Sequence, residues 1–339
     1  MQQKEYMTLA LTQLIGNTPL VNLPNLFGNQ PIYAKVEYFN PGLSIKDRIA
    51  VHIISKAQAQ DKLAPGGTII ECSSGNTGIG LAIVAAEMGY QFICCMHTGH
   101  SPEKMKLLKA YGAQVLVADK KYGRDHPESS FGKAAQLAQS IPNSYWVNQY
   151  DNLENPESHF YTTGAEIWEQ SQGRVSHVIA SASTGGTLSG IAKYLKAKKP
   201  AVKIWAADAH GSALKDFHET GEFHPEKVKS YLAENVGKKF IPQTLNFEQV
   251  DEFVKITDGA AARMARQAAK RQGLLLGYSS GAALEVAQQK LPSFAPQDYV
   301  VVICADHGSR YLHTIYNDEW MRQNNLMEQE PVVEKQVHD

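Results

Sequence analysis

The chain has 339 residues, 43% of them hydrophobic and 20% charged, which is enough apolar material for a sizeable core and long for one compact unit. A net charge of −1, from 33 basic and 34 acidic residues, excludes the strongly basic surface of a nucleic-acid-binding protein. Apolar runs such as residues 299–305 are too short to cross a bilayer, and the N-terminus lacks the order of a secretion signal. We therefore expect a cytoplasmic protein with two lobes that share a cleft.

Short apolar runs alternate with segments of helical periodicity along most of the chain. In order, we predict strand 32–37, helix 46–60, strand 68–72, helix 77–88, strand 91–96, helix 103–111 and strand 114–117. The second half continues with strand 177–181, helix 188–197, strand 203–207, helices 259–272 and 282–290, and strand 299–304. This alternation is typical of helices covering parallel sheets, so we predict an α/β protein with two doubly wound lobes and mostly parallel sheets.

Cysteine and histidine indicate neither a disulfide framework nor a metal site. The cysteines lie in or beside apolar runs and form no C-x-x-C pair, so we predict small buried hydrophobic residues at these positions: Cys72, Cys94, Cys95 and Cys304. The histidines are scattered, and a loop pair such as His97 and His100 lacks a third ligand. We predict no metal.

Four segments rich in Gly, Ser, Thr and Asn interrupt the apolar pattern, at residues 40–48, 73–78, 183–187 and 277–281. The last three precede helices, where backbone N–H groups and the helix dipole attract an anion. In a doubly wound sheet such loops meet beyond the carboxyl ends of the strands. One of them alone is as readily a plain turn, but four together predict a ligand site in one cleft.

Other glycine-rich motifs do not match the spacing. Residues 75–80 do not read G-x-G-x-x-G, and the chain contains no P-loop sequence. Residues 277–281 match the G-x-S-x-G of a nucleophile elbow, with Asp306 and His313 as the acid and histidine downstream. This hydrolase interpretation is disfavoured because it leaves the other three segments without a role.

The same segments resemble the signature sequences of the pyridoxal-phosphate (PLP) family that contains cysteine synthase and cystathionine β-synthase. They read N-P-G-x-S-x-K-D-R at 40–48, S-G-N-T-G at 74–78, T-G-G-T at 184–187 and G-x-S-S-G at 277–281, and the opening is L-I-G-N-T-P-L at 14–20. The resemblance runs in order from about residue 11 to 321. The cystathionine β-synthase branch is resembled in particular by residues 148–152, 162–168, 240–242 and 317–321.

The resemblance implies a role for each segment. Lys46 is the lysine that forms the Schiff base with PLP and later removes the substrate Cα proton. Asn76 contacts the ring hydroxyl, and Ser279 lies against the ring nitrogen, where a neutral hydroxyl suits β-elimination better than transamination. The cofactor phosphate is held by Ser183, Thr184, Gly185, Gly186 and Thr187. The substrate α-carboxylate is bound by Ser73, Ser74, Gly75, Asn76, Thr77 and Gln149.

The resemblance also implies a fold of type II, similar to the tryptophan synthase β-subunit. A larger cofactor-binding lobe is formed by residues 1–35 and 156–321. A smaller mobile lobe, residues 36–155, carries Lys46 and the carboxylate loop and closes over the substrate. Residues 322–339 form a polar tail, and a homodimer is expected.

Four departures from the family pattern concern the attacking nucleophile more than the cofactor. Ser183 stands where the phosphate loop commonly has its first glycine, and Ser73, beside an unusual Cys72, stands where threonine is usual. Residues 97–102 replace a proline-rich turn. Asn235 replaces the first glycine of E-G-I-G and adds bulk and donors near the mouth of the site.

We therefore predict an enzyme that replaces the β-substituent of serine or an O-activated serine through an aminoacrylate, a lyase or transferase of amino-acid and cysteine biosynthesis. Cystathionine β-synthase activity on serine and homocysteine is the first choice, and O-acetylserine sulfhydrylase (cysteine synthase) activity is the second. Three alternatives stay open: a specialised enzyme using an amine or other nucleophile, a β-eliminating desulfhydrase or dehydratase, and a regulatory subunit without activity. The expected partners are small amino acids, with neither nucleic acid nor membrane.

Overall fold

The computed structural model describes residues 9–73, 75–99 and 102–327. Over these ranges the chain forms ten strands: β1 Leu20–Asn22, β2 Ile32–Val36, β3 Thr68–Glu71, β4 Gln91–His97, β5 Gln114–Ala118, β6 Ser144–Trp146, β7 His177–Ser181, β8 Lys203–Ala209, β9 Glu252–Ile256 and β10 Val300–Cys304. The same ranges contain twelve α-helices: α1 Pro24–Phe27, α2 Lys46–Ala59, α3 Asn76–Met88, α4 Pro102–Ala110, α5 Ser130–Ser140, α6 Glu154–His159, α7 Ala165–Gln170, α8 Gly186–Lys198, α9 Leu214–Thr220, α10 Asp258–Gln272, α11 Tyr278–Lys290 and α12 Asp318–Gln323. A π-helical segment, Phe160–Gly164, joins α6 to α7.

The strands form two sheets. The six-stranded sheet has the order β1-β2-β10-β7-β8-β9, in which β1 is antiparallel to β2 and the other neighbours are parallel. The four-stranded sheet has the order β5-β4-β3-β6 and is parallel throughout. The predicted α/β class with mostly parallel sheets is confirmed.

The larger sheet is covered on both faces, and its central strand shows why it reads as one apolar run. Val300, Val302 and Cys304 of β10 pack into one hydrophobic cluster, while Val301 and Ile303 pack into a second cluster on the opposite face. A strand buried on both faces needs apolar residues at every position rather than at alternate ones.

The smaller sheet contains the adjacent pair Cys94 and Cys95 on β4, whose side chains enter different clusters on its two faces. All four cysteines lie in the described part of the chain and are buried and free. Burial raises the pKa of the Cys94 thiol well above its usual range. The prediction of small buried hydrophobic residues is therefore confirmed.

Two helices begin at least two residues before their predicted starts. The pattern predicts starts at Leu188 and Ala282, but α8 begins at Gly186 and α11 at Tyr278. Their first turns consist largely of Gly, Ser and Thr, whose low helix propensity hides the start in the sequence. The first N–H groups of a helix have no intrahelical partner, so these turns can donate to a ligand. The Gly186 N–H donates to Thr184 Oγ1 at 3.4 Å.

The two sheets draw on different parts of the chain. The smaller sheet uses strands between Thr68 and Trp146, and the larger one uses strands before and after them. Beyond α12, Leu326 is buried, and residues 328–339 lie outside the described ranges. Within those ranges no helix combines the length and the hydropathy that a membrane span requires.

Candidate active site

A cavity of about 640 Å³ opens where the carboxyl ends of strands from both sheets lie. Its wall includes residues that follow β3, β4, β7 and β10, together with the start of α2. Of the residues predicted for the site, those that line it are Lys46, Ser73, Gly75, Asn76, Thr77, Gln149, Ser183 and Thr184. Ser74 lies outside the described residues. Segments far apart in sequence thus meet at one cleft, as expected for loops at the strand ends.

Lys46 is placed by contacts between the start of α2 and the end of β10. The N–H of Ile45 donates to Ala305 O at 2.8 Å, and Ser44 forms an isolated β-bridge with Asp306. The Lys46 N–H donates to Ser44 Oγ at 3.2 Å. Anchored in this way at the first residue of the helix, the lysine side chain lines the cavity.

The environment of Lys46 lowers the pKa of its amine to about 8. Burial is the largest cause, the positive charge of Lys238 adds to it, and Asp306 and Glu37 oppose it. An amine with a pKa near 8 is unprotonated in roughly one molecule in ten at pH 7, against fewer than one in a thousand at the usual value. Lys46 is therefore suited to act as a nucleophile and as a base.

The predicted carboxylate loop surrounds the start of α3. Ser73 Oγ accepts the N–H groups of Gly75 at 3.3 Å and Gly78 at 3.2 Å. The Thr77 hydroxyl donates to Gln149 Oε1 at 2.7 Å. The loop and the glutamine that the sequence paired with it are therefore in direct contact.

Behind this loop lies a carboxyl group that the sequence did not single out. Glu71, the last residue of β3, is 1% exposed, and its Oε1 accepts from Gln149 Nε2 at 3.2 Å. Its Oε2 has no hydrogen-bond partner among the described residues. Burial raises the pKa of Glu71 to about 8, although hydrogen bonds from Gln149, Asn148 and Cys72 act in the other direction. Glu71 is a positioning residue because it orients the Gln149 amide.

We expect Glu71→Gln to gain stability relative to the unchanged protein as the pH rises from 5 to 8. The unfolded carboxyl has a pKa of 4.5, so between 4.5 and about 8 the folded protein holds a proton that the unfolded chain has lost, and its stability falls with rising pH. Removing this titration is worth on the order of a few kcal/mol at pH 8. Urea unfolding at pH 5, 6.5 and 8 measures it, with exposed Glu226→Gln as control. An unchanged pH dependence in Glu71→Gln would contradict the assignment.

The predicted phosphate loop forms the start of α8 and is held in place by hydrogen bonds from Thr244 and Asn155. Gly185 has φ +88° and a side chain there would run into Leu245, so glycine is required at this position. The carbonyl of Thr184 accepts the Thr244 hydroxyl at 2.6 Å, and the Thr184 hydroxyl accepts from Asn155 Nδ2 at 3.3 Å. The first N–H groups of α8 are thereby presented next to two threonine hydroxyls and a serine.

A buried histidine supports the same loop. His159 is fully buried, with Nε2 3.2 Å from the Thr187 hydroxyl and Nδ1 2.9 Å from Thr163 Oγ1. Burial and the charges of Lys46 and Arg48 keep its pKa well below the usual range. His159 is therefore a neutral ring that orients the Thr187 hydroxyl.

Ser279, at the start of α11, is 3% exposed. Its Oγ is buried and meets no hydrogen-bond partner within the described part of the chain. A buried hydroxyl without a partner costs free energy, so its presence indicates a polar ligand atom. Within the same ranges Ser279, Asp306 and His313 are not hydrogen-bonded to one another, so the hydrolase arrangement has no support.

Asp306 joins a network that closes one end of the cavity. Its Oδ2 accepts from Asn76 Nδ2 and from the Tyr311 hydroxyl, both at 2.7 Å. Arg310 donates to Asn76 Oδ1, and Asn235 Nδ2 donates to Tyr311 Oη at 3.2 Å. Burial raises the pKa of Asp306 although Arg310 and both hydrogen bonds favour the carboxylate. The network fixes Asn76. Sequence reasoning named Asp306 only as a weak candidate and assigned no role in the site to Arg310 or Tyr311.

These residues fit the cofactor that the resemblance implies. A lysine amine of lowered pKa, a glycine cradle at a helix N-terminus and an unpartnered serine hydroxyl match the carbonyl, phosphate and ring nitrogen of PLP. Lys46, the residues at the start of α8 and Ser279 are the groups that would hold it. Metal ligands do not cluster anywhere among the described residues.

Comparison with known proteins adds independent information. A family model described as pyridoxal-phosphate dependent enzyme matches residues 11–306. The chain is 40% identical over 324 residues to cystathionine β-synthase of Oryctolagus cuniculus, covering 94% of this chain and 58% of that protein. It is 39% identical over 326 residues to cystathionine β-synthase of Saccharomyces cerevisiae, covering 92% and 64%. The chain thus spans less than two thirds of the length of these two relatives.

Two further relatives are matched over nearly their whole length. Cysteine synthase of Staphylococcus aureus is 40% identical over 308 residues, which cover 90% of this chain and 95% of that protein. A crystal structure of O-ureido-L-serine synthase superposes with a TM-score of 0.83 at 31% identity, covering 94% of this chain and 100% of the other.

Proposed function

Because the chain belongs to the family of pyridoxal-phosphate dependent enzymes, we propose that it replaces the β-substituent of serine or an O-activated serine, with homocysteine as the first-choice acceptor. The same matches confirm PLP as the cofactor and fold type II as the fold class. The observation that carries the proposal is the meeting of the Lys46 amine, the carboxylate loop and Gln149 around one cavity. When bound, PLP supplies a sink for the electron pair released at the substrate α-carbon.

The residues of the chain would divide the remaining work. Lys46 would hold the cofactor covalently and, as a free amine, accept the proton from the substrate α-carbon. The start of α3 and Gln149 would bind the α-carboxylate and so orient the Cα–H bond toward Lys46. Ser279, a neutral partner, would keep the cofactor suited to loss of a β-substituent.

Water exclusion would depend on movement of the smaller lobe. We assign residues 36–155 to this mobile lobe and residues 1–35 with 156–321 to the cofactor-binding lobe. Closing would bring the apolar part of the wall, including Ile79, Met96 and Phe131, over the substrate and shield the reacting group from hydrolysis. A cytoplasmic homodimer completes the proposal, and size-exclusion chromatography with light scattering tests the dimer.

Cysteine synthase activity is the second candidate. The observation in its favour is sequence identity, since the matched cysteine synthase of Staphylococcus aureus is 40% identical to this chain, as is the cystathionine β-synthase of Oryctolagus cuniculus. In that case an O-activated serine would be the donor and sulfide the acceptor.

We expect the purified yellow holoenzyme to form cystathionine from L-serine and homocysteine. Serine, O-acetylserine and O-phosphoserine are mixed with it one at a time, and a change in cofactor absorbance identifies the donor. Sulfide, homocysteine or small amines are then added, and mass spectrometry identifies the product. Product from O-acetylserine and sulfide alone would replace the first choice by the second. A spectral change with no amino-acid product, but release of pyruvate, would indicate β-elimination, and absence of any response would reject the proposal.

A further inference from the structure

Lys238 stands on the cavity wall on a segment that is held rigidly. Its N–H donates to Ser212 Oγ at 2.9 Å. Its carbonyl accepts the N–H of Ala213 at 2.8 Å and the Ser212 hydroxyl at 3.0 Å. The preceding Gly237 has φ +70°, and a side chain there would clash with Ser212, so the turn is strictly specified. These backbone contacts therefore fix the position of Lys238 on the cavity wall.

The side chain of Lys238 meets a neutral surface. Its Nζ donates to the Tyr150 hydroxyl at 3.1 Å and lies 4.9 Å from the centre of that ring. Tyr150 in turn packs edge-on against Phe240, with ring centres 5.2 Å apart. Within the described ranges no carboxylate pairs with this ammonium group, although the residue is only half-exposed. A partly buried cation without a counter-ion is unfavourable unless a ligand supplies the charge.

The cavity as a whole carries excess positive charge. Four basic side chains line it, Lys46, Lys104, Lys238 and Arg310, against two acidic ones, Glu103 and Glu234. Lys104 is paired with Glu234, and the charge of Arg310 acts on buried Asp306. The charge of Lys238 acts on Lys46 and lowers the pKa of that amine further after burial has done so. The charges of the wall therefore favour an anionic ligand beside Lys238.

The anions already assigned use other parts of the cavity. The cofactor phosphate is assigned to the N-terminus of α8, and the substrate α-carboxylate to the loop before α3 with Gln149. Lys238 belongs to neither segment, since it lies between β8 and β9 on the loop that contacts Ser212. An anion bound beside Lys238 would therefore be a third negative group in the cavity.

We propose that Lys238 determines substrate specificity by binding a second anionic group, in addition to the α-carboxylate of the amino acid. The inference rests on the proposed β-replacement reaction. The group is an oxyanion, and two sources have this chemistry: a carboxylate on the attacking acceptor or a phosphate on the leaving oxygen of the donor. In either case Lys238 forms a charge-assisted hydrogen bond.

The test compares Lys238→Met, which keeps the length of the side chain and removes its charge, with Lys239→Met. Lys239 is the exposed neighbour and serves as a matched control. Steady-state kinetics of the holoenzymes are measured with serine, O-acetylserine and O-phosphoserine as donors. Homocysteine, its analogue without the carboxylate (3-aminopropane-1-thiol) and sulfide are the acceptors. We expect Lys238→Met to raise the KM for the anionic substrate by about 10- to 100-fold. Lys238→Arg keeps the positive charge and should bring the KM most of the way back to that of the unchanged enzyme. Lys239→Met should have the KM of the unchanged enzyme.

Comparing the substrates shows whether the anion is the carboxylate of the acceptor or the phosphate of the donor. A rise confined to homocysteine places the anion on the acceptor, and a rise confined to O-phosphoserine places it on the leaving group. If the KM of Lys238→Met for every substrate equals that of the unchanged enzyme, the inference is overturned. A rise for every donor, plain serine included, would also overturn it, because Lys238 would then bind the α-carboxylate.

Failure of the proposed function is recognised separately. In that case the unchanged enzyme itself shows no β-replacement with any pair of substrates. Calorimetric titration of the holoenzymes with O-phosphoserine, O-acetylserine and homocysteine then decides the inference through affinity alone. Equal dissociation constants for Lys238→Met and the unchanged protein reject it, and a loss confined to one anionic ligand supports it.

Discussion

Lys46→Ala is expected to lose at least about 10³-fold in kcat, because one amine would serve both to hold the cofactor and to move the α-proton. The variant should still bind PLP through the phosphate loop but release it on dialysis. The measurements are the β-replacement rate and borohydride reduction followed by peptide mass spectrometry. In the unchanged enzyme the label should appear on the peptide that contains Lys46.

The control for this variant is Lys56→Ala. Lys56 is an exposed lysine in the last turn of the same helix, so its loss tests the effect of removing a positive charge from α2 without touching the cavity. We expect it to retain full activity and labelling. Reduced cofactor on any other lysine, or more than a tenth of the original rate in Lys46→Ala, would contradict the role of Lys46.

The lowered pKa of Lys46 has a consequence for assembly of the holoenzyme. Only the unprotonated amine of Lys46 would react with the carbonyl of PLP, so the rate of covalent PLP uptake by the apoprotein should rise with pH up to about 8 and level off above it. With an amine of ordinary pKa the rate would continue to rise beyond pH 10. Stopped-flow absorbance between pH 6 and 10 measures the rate of PLP uptake by the apoprotein. Lys238→Met should move the midpoint upward, because one cause of the low pKa is removed.

The parts of the fold that the sequence predicted are those whose periodicity is strong over a whole element. The strand His177–Ser181 has the predicted bounds, and α2 and β3 differ by one residue at an end. The elements that were missed are short or only partly buried, such as β1 and β6, each of three residues of which none is fully buried. Their pairing is decided by neighbouring strands rather than by their own composition.

The site was predictable where ligand-binding residues follow one another in the chain. The loops at 73–77 and 183–187 can be recognised in the sequence because glycine and hydroxyl residues replace apolar ones at the end of a strand. The groups behind them leave no such signal. Glu71 ends an apolar strand, His159 lies in an ordinary polar stretch, and both acquire their role only by folding against Gln149 and Thr187.

Contacts over long sequence separations account for the rest. Asn76 and Asp306 are 230 residues apart, and no local pattern in either segment indicates that their side chains are hydrogen-bonded. No sequence pattern indicates a role for Lys238 either, because a lysine in a loop is normally a charged side chain at the surface. Its position on the cavity wall depends on Ser212 and on the turn at Gly237, which only the tertiary structure reveals.

The second large effect is expected from Arg48, whose loss should destabilise the fold by about 3–5 kcal/mol. Arg48 is buried and donates to both oxygens of Glu37, at 2.7 and 2.9 Å, and to both oxygens of Glu166, at 2.6 and 2.8 Å. Lys35, also buried, donates to Glu166 at 2.6 Å. This cluster ties α2, which begins at Lys46, to β2 and α7. Removing the guanidinium leaves Glu37 buried without its cation.

Arg48→Met is the informative variant because it keeps most of the side-chain volume and removes the charge. Arg48→Lys keeps the charge but loses the planar fork that spans two carboxylates, so we expect a smaller loss. The ion pair between exposed Lys193 and half-buried Glu157 supplies the control, and Lys193→Ala should change stability by no more than about 0.5 kcal/mol. Urea unfolding of each protein with saturating PLP measures the differences.

The pH dependence of this loss identifies its cause as the ion cluster. Burial alone would raise the pKa of Glu166, but hydrogen bonds and charge from Arg48 and Lys35 outweigh it and lower that pKa to about 2. For a depressed carboxyl the stabilisation is complete above the unfolded pKa of 4.5 and is lost as the pH falls toward 2. The difference between the unchanged protein and Arg48→Met should therefore shrink as the pH falls from 4.5 toward 2. A difference that persists unchanged at pH 3 would mean that Arg48 acts through packing of its alkyl chain and not through its charge.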